Sequence, residues 1–251
     1  MPVDNLPEGC RHVRNAASRF YQTEFYKKAA AGLLTSALLI LWLGEYTNAD
    51  QLLANWFYDP QSHTFPWRYN WLTSTFLHYW VKKAIVAVGF LLMAVALLDA
   101  VKHLPGISAR MRIRLRIVAW SALLIPLVIS TIKRYSVLAC PWDLQMYGGD
   151  APYLRLLDAV PPGLQPGHCF PAGHASAGLW LAAFAVFWLP EQPTKAMRVF
   201  LSGLGVGFFL GIVQQARGAH FLTHTLWSVW IAIAILLVIF ARYAKQLQQP
   251  A

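Results

Sequence analysis

Charge is scarce in this sequence: Asp, Glu, Lys and Arg make up 13% of 251 residues, while 57% are hydrophobic. Soluble chains carry about 25% charged residues, so a globular domain with its own polar shell is excluded and the bilayer is the expected solvent. Acidic residues are scarcer still, 11 against 21 Lys and Arg. The resulting charge of +10 does not make a nucleic-acid partner, which needs a basic face on a polar domain; anionic lipid head groups are the simpler partner. No internal repeat and no low-complexity tract occurs. Residues 1–28 are polar and charged rather than a cleavable leader, so the first apolar segment is expected to be an uncleaved anchor.

Long apolar runs are abundant instead. Crossing about 30 Å of hydrocarbon takes around 20 helical residues, a few fewer when the ends reach the interface. Six segments qualify, at roughly 29–46, 84–101, 115–132, 172–189, 197–216 and 220–241. The expected fold is all-α: a polytopic membrane protein of six transmembrane helices in a compact bundle, one domain over residues 1–251. Residues 12–28 read as an amphipathic helix lying on the inner surface.

Lysine and arginine collect on the cytoplasmic side of membrane proteins. Fourteen share one side: Arg11, Arg14, Arg19, Lys27, Lys28, Lys102, Arg110, Arg112, Arg114, Arg116, Lys195, Arg198, Arg242 and Lys245. Seven lie opposite: Arg68, Lys82, Lys83, Lys133, Arg134, Arg155 and Arg217. Both termini are therefore expected in the cytoplasm. The first outer connection, about 47–83, is crowded with aromatics from Trp56 to Trp80. They read as an interfacial belt or as a wall guiding a lipid tail. Of three cysteines, Cys10 falls inside, while Cys140 and Cys169 share the second outer loop; an oxidising compartment favours a bridge between them, the alternative being two free thiols.

Three polar clusters meet at the outer face. Lys133 and Arg134 end the third span, His174 begins the fourth in CFPAGHAS, and Arg217, His220 and His224 cross the last turn in QQARGAHFLTHTLW. Ionisable side chains at membrane depth are costly unless paired or functional, although snorkelling helix ends, a capping histidine and an interhelical contact would each account for one cluster. Together they suit an anion. Pro171 and Gly173 turn the chain into a helix whose first amides, near Ala172 and Gly173, have no partner within it and can donate to phosphate. Two histidines can divide the work of nucleophile and general acid. HFLTH lacks the glutamate of HExxH and lies beside cations, so no metal and no other cofactor is expected.

These residues resemble the type 2 phosphatidic acid phosphatase family, which carries Lys-x6-Arg-Pro, Pro-Ser-Gly-His and Ser-Arg-x5-His-x3-Asp elements. Lys133 and Pro141 match the first, with Cys140 at its arginine. Pro171, Gly173 and His174 match the second, with Ala172 for serine. His220 matches the nucleophile, with Gln214 at the arginine and His224 at the aspartate. The resemblance implies a lipid phosphate or pyrophosphate phosphatase at the periplasmic face of a bacterial inner membrane. His220 would be the nucleophile and His174 the acid. Lys133, Arg134, Arg217, Ala172 and Gly173 would form the phosphate seat. His224 or Asp143 would stand in for the aspartate, or His224 would itself be the nucleophile. Lipid A, undecaprenyl pyrophosphate, phosphatidylglycerol phosphate and phosphatidic acid all remain candidates. A phosphotransferase on the same fold and a non-catalytic lipid-binding protein are the rival readings.

Overall fold

A computed structural model describes the backbone of residues 8–247 and side chains from residue 23 onward. Its helices are α1 (Glu8–Tyr46), α2 (Ala49–Asn55), a π-helical stretch (Trp71–Val81) running directly into α3 (Lys82–Lys102), α4 (Ala109–Arg134), α5 (Gly173–Leu179), a 3-10 stretch (Trp180–Trp188), α6 (Pro193–Ala216) and α7 (Leu222–Leu247). Among the described residues there are two isolated β-bridges. The chain divides into two units, Met1–Leu39 and Ile40–Ala251, and the core and site described below lie in the second. Most of the amphipathic segment expected at 12–28 lies outside the described side chains.

Among the described residues, five helical segments are long and apolar enough to cross a membrane: Thr23–Tyr46, Pro66–Lys102, Ala109–Arg134, Pro193–Ala216 and Leu222–Leu247. The segment expected at 172–189 is shorter, an apolar helix over Gly173–Trp188. It changes character midway. With about 1.5 Å of rise per α residue and about 2 Å per 3-10 residue, its two parts extend roughly 28 Å. The second expected span also differs: the aromatic-rich chain at 71–81 is helical and continuous with α3, so the connection after α1 is shorter than the sequence suggests.

Large apolar side chains that would repel water cover the outside, including Phe90, Leu91, Leu97, Trp120, Leu127 and Phe209. The core lies between α4, α5, α6 and α7, around Ile117, Ile125, Ile129, Leu179, Trp180 and Leu236. Small residues let these helices approach without a solvent-driven collapse. A Cβ on Gly207 of α6 would sit 2.5 Å from the Leu179 side chain and 2.7 Å from its backbone nitrogen. One end of the bundle is tied by charge. Arg112 Nη1 donates to buried Asp99 Oδ1 at 2.5 Å, and Arg110 and Arg114 both reach Glu191. Ser108 Oγ caps α4 by accepting from Met111 N–H, the usual role of serine at a helix start. Since α4 and α6 both begin near this end, Lys133, Arg217 and the start of α7 fall at the other.

A second, smaller core covers that other end. Phe65, Tyr58 and Tyr147 pack with centroids 4.9–5.3 Å apart, together with Ala54, Leu144 and Phe221. The aromatic connection thus splits: Phe65 is buried, whereas Trp56, Tyr69, Trp71 and Trp80 stay exposed. Gly207→Leu should separate α5 from α6 and cost about 3 kcal/mol or more, at the upper end for overpacked cores. Thermal unfolding in detergent would measure it; an unchanged midpoint would mean that α6 has slack at this crossing.

Candidate active site

The side chains of the site arrive from several elements: α4, α5, the turn between α6 and α7, and α7 itself. Lys133 stands in the last turn of α4. Its Cδ lies 3.3 Å and its Nζ 3.9 Å from where a Cβ on Gly173 would be, so the ammonium rests against the first residue of α5. No side chain caps α5 at Ala172, and no Cβ at Gly173 stands between its amide and the lysine. The approach to α5 is stitched to α7: Ala172 N–H donates to the His224 carbonyl at 3.1 Å, and Ser228 Oγ donates to the Ala172 and His224 carbonyls.

The turn between α6 and α7 requires Gly218, whose φ is +73° and whose missing Cβ leaves room for the Phe65 ring. A left-handed residue packed this closely has to be glycine. That turn carries Arg217 and His220, both buried. Arg217 Nη1 donates to Gln214 Oε1 at 2.9 Å and Nε to the Arg68 carbonyl at 3.2 Å. The guanidinium thereby folds back over Gln214, the position at which the resemblance calls for arginine. Burial first, and the Arg68 charge second, hold the Arg217 pKa below its ordinary value.

His220 and His224 are buried with ring centroids 5.8 Å apart. Lys133, His224 and His174 all act electrostatically on His220, and burial before any of them holds its pKa well below the ordinary imidazole range; it is a neutral ring. Cys140 and Cys169 are bridged, with Cα atoms 5.2 Å apart. Cys169 Sγ lies 3.4 Å from His220 Nδ1, which leaves Nε2 as the freer nitrogen. Cys169, His220 and His224 offer ligand atoms within 4.8 Å of one another. The thiolate is the metal-binding form of cysteine, however, and this sulfur is committed to the bridge, which leaves two imidazoles beside a lysine.

His174 is 5% exposed and its ring stacks on His78, with centroids 4.3 Å apart and planes 18° apart. Both ring nitrogens of His174, Nδ1 of His78, Nδ1 of His224 and Nε2 of Gln214 are buried without an aligned hydrogen-bond partner. Among the described residues no carboxylate forms an ion pair with Lys133 or Arg217. Cations and unpartnered polar nitrogens gathered out of water are unfavourable unless an anion joins them.

Lys133, Ala172, Gly173, His174, Arg217, His220 and His224 therefore share one end of the bundle. Arg134 does not join them. It is exposed, because consecutive helical residues point about 100° apart. Asp143 is also elsewhere: it is exposed and accepts from its neighbour Trp142 Nε1 at 3.0 Å. The buried carboxylate at this end is Asp50 of α2, which accepts from Thr223 N–H at 2.9 Å and from Thr223 Oγ1. It caps α7 from another element. Three residues were not singled out in the sequence: His78, Asp50, and Arg68, whose guanidinium lies 4.4 Å over the Trp142 ring. The π-helical turn is what brings His78 inward, and nothing in the local pattern signals it. A small cavity lined by Glu45, Asp50, Arg155, Phe170, His224 and Trp227 touches only His224 of the expected residues; the convergence of side chains, rather than this hollow, defines the site.

Lys133, Arg217 and the imidazoles of His174, His220 and His224 thus gather at one end of a bundle of apolar helices, with no carboxylate among the described residues paired to either cation. The chain belongs to the PAP2 superfamily, whose family profile matches residues 114–248, more than half of its length. Comparison with curated proteins and with solved structures gave no match. Membership makes it a membrane-embedded phosphatase of phosphoric esters at the level of class.

The Asp50 contact yields a stability test. Burial raises its pKa above the ordinary 3.8, and the hydrogen bonds from Thr223 pull the other way. A carboxyl whose folded pKa is raised binds more protons folded than unfolded, so its contribution to stability falls as pH rises through 3.8 and above. Asp50→Asn, which can still cap α7, should flatten that fall, and Asp50→Ala should lose the cap at about 1–2 kcal/mol. Unfolding midpoints of the three proteins across acid pH would decide it; coincident curves would mean that Asp50 carries no cap.

Proposed function

We propose that this protein is a lipid phosphate or pyrophosphate phosphatase acting at the periplasmic face of a bacterial inner membrane through a phosphohistidine on His220. In this reading Gly173–Trp188, stretched by its 3-10 half, is a sixth span, and both termini are cytoplasmic. The observation that carries the proposal is the half-buried Lys133 and buried Arg217 with no carboxylate partner among the described residues, set against buried nitrogens that lack partners.

The chemistry then runs in two displacements. Neutral His220 presents the Nε2 lone pair and attacks phosphorus in line, the bond to the lipid oxygen breaks, and His174 gives its proton to that oxygen. Water next attacks the phosphohistidine, His174 takes a proton from it, and phosphate leaves. Lys133, Arg217 and the amide at Gly173 hold the equatorial oxygens throughout, since positioning and charge supply most of the catalysis in phosphoryl transfer. His224, stitched to Ala172 through its carbonyl, holds α7 against the start of α5. Arg134, facing outward, is left to head groups at the interface.

Purified protein in detergent, assayed for phosphate release from lipid A, undecaprenyl pyrophosphate, phosphatidylglycerol phosphate and phosphatidic acid, should turn over at least one. His220→Ala and His174→Ala should each lower that turnover by about 100-fold or more, with an acid-labile phosphoenzyme lost in His220→Ala. Full activity in His220→Ala with loss in His224→Ala would move the nucleophile to His224. Release that requires a second lipid as acceptor would make the protein a phosphotransferase. No release from any of the four would leave the non-catalytic reading.

A further inference from the structure

His78 sits in the π-helical turn Trp71–Val81, outside the stretch 114–248 that matches the family. Its ring covers one face of His174 in a near-parallel stack. π-helical turns rotate side chains out of the α register and are frequent at functional sites. The surroundings are cationic: Arg217, Lys82 and Lys133 act on His78, and Lys82 and Arg217 on His174. Gln214 is within reach of His78, yet the buried Nδ1 of His78 makes no aligned hydrogen bond, nor does either nitrogen of His174. The Leu77 carbonyl is also within reach of His174. With no aligned hydrogen bond on either nitrogen, the stack on His78 is the ring contact described for His174. Flat rings in an offset stack attract one another, which favours one ring orientation among several.

We infer that His78 is a positioning residue for His174: its ring, laid flat on the imidazole that protonates the departing lipid oxygen, holds that imidazole in the plane from which the proton is delivered. The inference rests on the phosphatase reading of His174. It takes in a residue from the part of the chain ahead of the family match and makes the geometry of the leaving-group side depend on the π-helical turn. What matters in His78 is then the flat ring, and another flat ring can replace it.

The test uses the full-length protein in detergent with two esters. One is an alkyl lipid phosphate, whose departing oxygen needs a proton; the other is p-nitrophenyl phosphate, whose departing oxygen hardly does. His78→Ala should lower kcat on the alkyl ester by about 10- to 100-fold and leave KM unchanged, because misplaced general acids lose rate and not binding. On p-nitrophenyl phosphate the loss should stay within about threefold, since there is little for the acid to contribute. His78→Phe should restore most of the alkyl-ester rate. In a His174→Ala background, His78→Ala should cost nothing more. Equal losses on both esters, a change confined to KM, failure of the Phe variant to rescue, or a further loss in the His174→Ala background would each overturn the inference. A wild type inert toward both esters and toward the four lipids named above would sink the phosphatase reading instead. The stack would then be read from the ring resonances of His174, which His78→Ala must move if the two rings lie face to face; unmoved resonances overturn it.

Discussion

The arrangement of this protein turns on positive charge withdrawn from water without a negative partner. Arg217 is buried and bonded only to an amide and a carbonyl oxygen, while Lys133 leans on a glycine. Such groups are unfavourable in a low-dielectric interior, and the rest of the bundle is organised to tolerate them. Gly218 makes the turn that delivers Arg217. The bridge from Cys140 to Cys169 backs His220. The small aromatic core around Phe65 shields the turn from above. The opposite end of the bundle follows another logic, with each arginine that stands in for a tether meeting an acid. Paired charge ties one end of the bundle; the other end keeps cations that no carboxylate among the described residues pairs.

Much of this was legible in the sequence. Apolar runs at membrane length gave the helical bundle, and Lys133, His174, Arg217, His220 and His224 were placed at one end simply because an odd or even number of crossings puts them there. Gly173 and Ala172 followed from the turn at Pro171 and Gly173 into a helix whose first amides have no partner within it. What the linear pattern could not supply was orientation around a helix. Arg134 neighbours Lys133 in sequence and faces outward for a purely geometric reason. Asp143, expected as a stand-in carboxylate, is held by the indole beside it. Asp50 is separated from Thr223 by 173 residues, and no local signal could have paired them. Nor could the linear pattern show that the fourth expected span, Gly173–Trp188, is shorter than the other five and partly 3-10.

The departures from the family's pattern are also intelligible once side chains are seen. Where the resemblance calls for arginine, Gln214 stands, but Arg217 returns to it across one turn of chain. Where an aspartate would follow the nucleophile, His224 stands; a carboxylate, Asp50, reaches the preceding residue, Thr223, rather than either imidazole. The charge balance of the pocket therefore shifts toward the positive, in keeping with an acid-poor composition.

His78, Arg68 and Asp50 all precede residue 114, where the family match begins. The segment from Asp50 to His78 consequently packs against the residues gathered at this end of the bundle. A change at Asp50, Arg68 or His78 would therefore reshape this end of the bundle while every residue from 114 to 248 stays as it is.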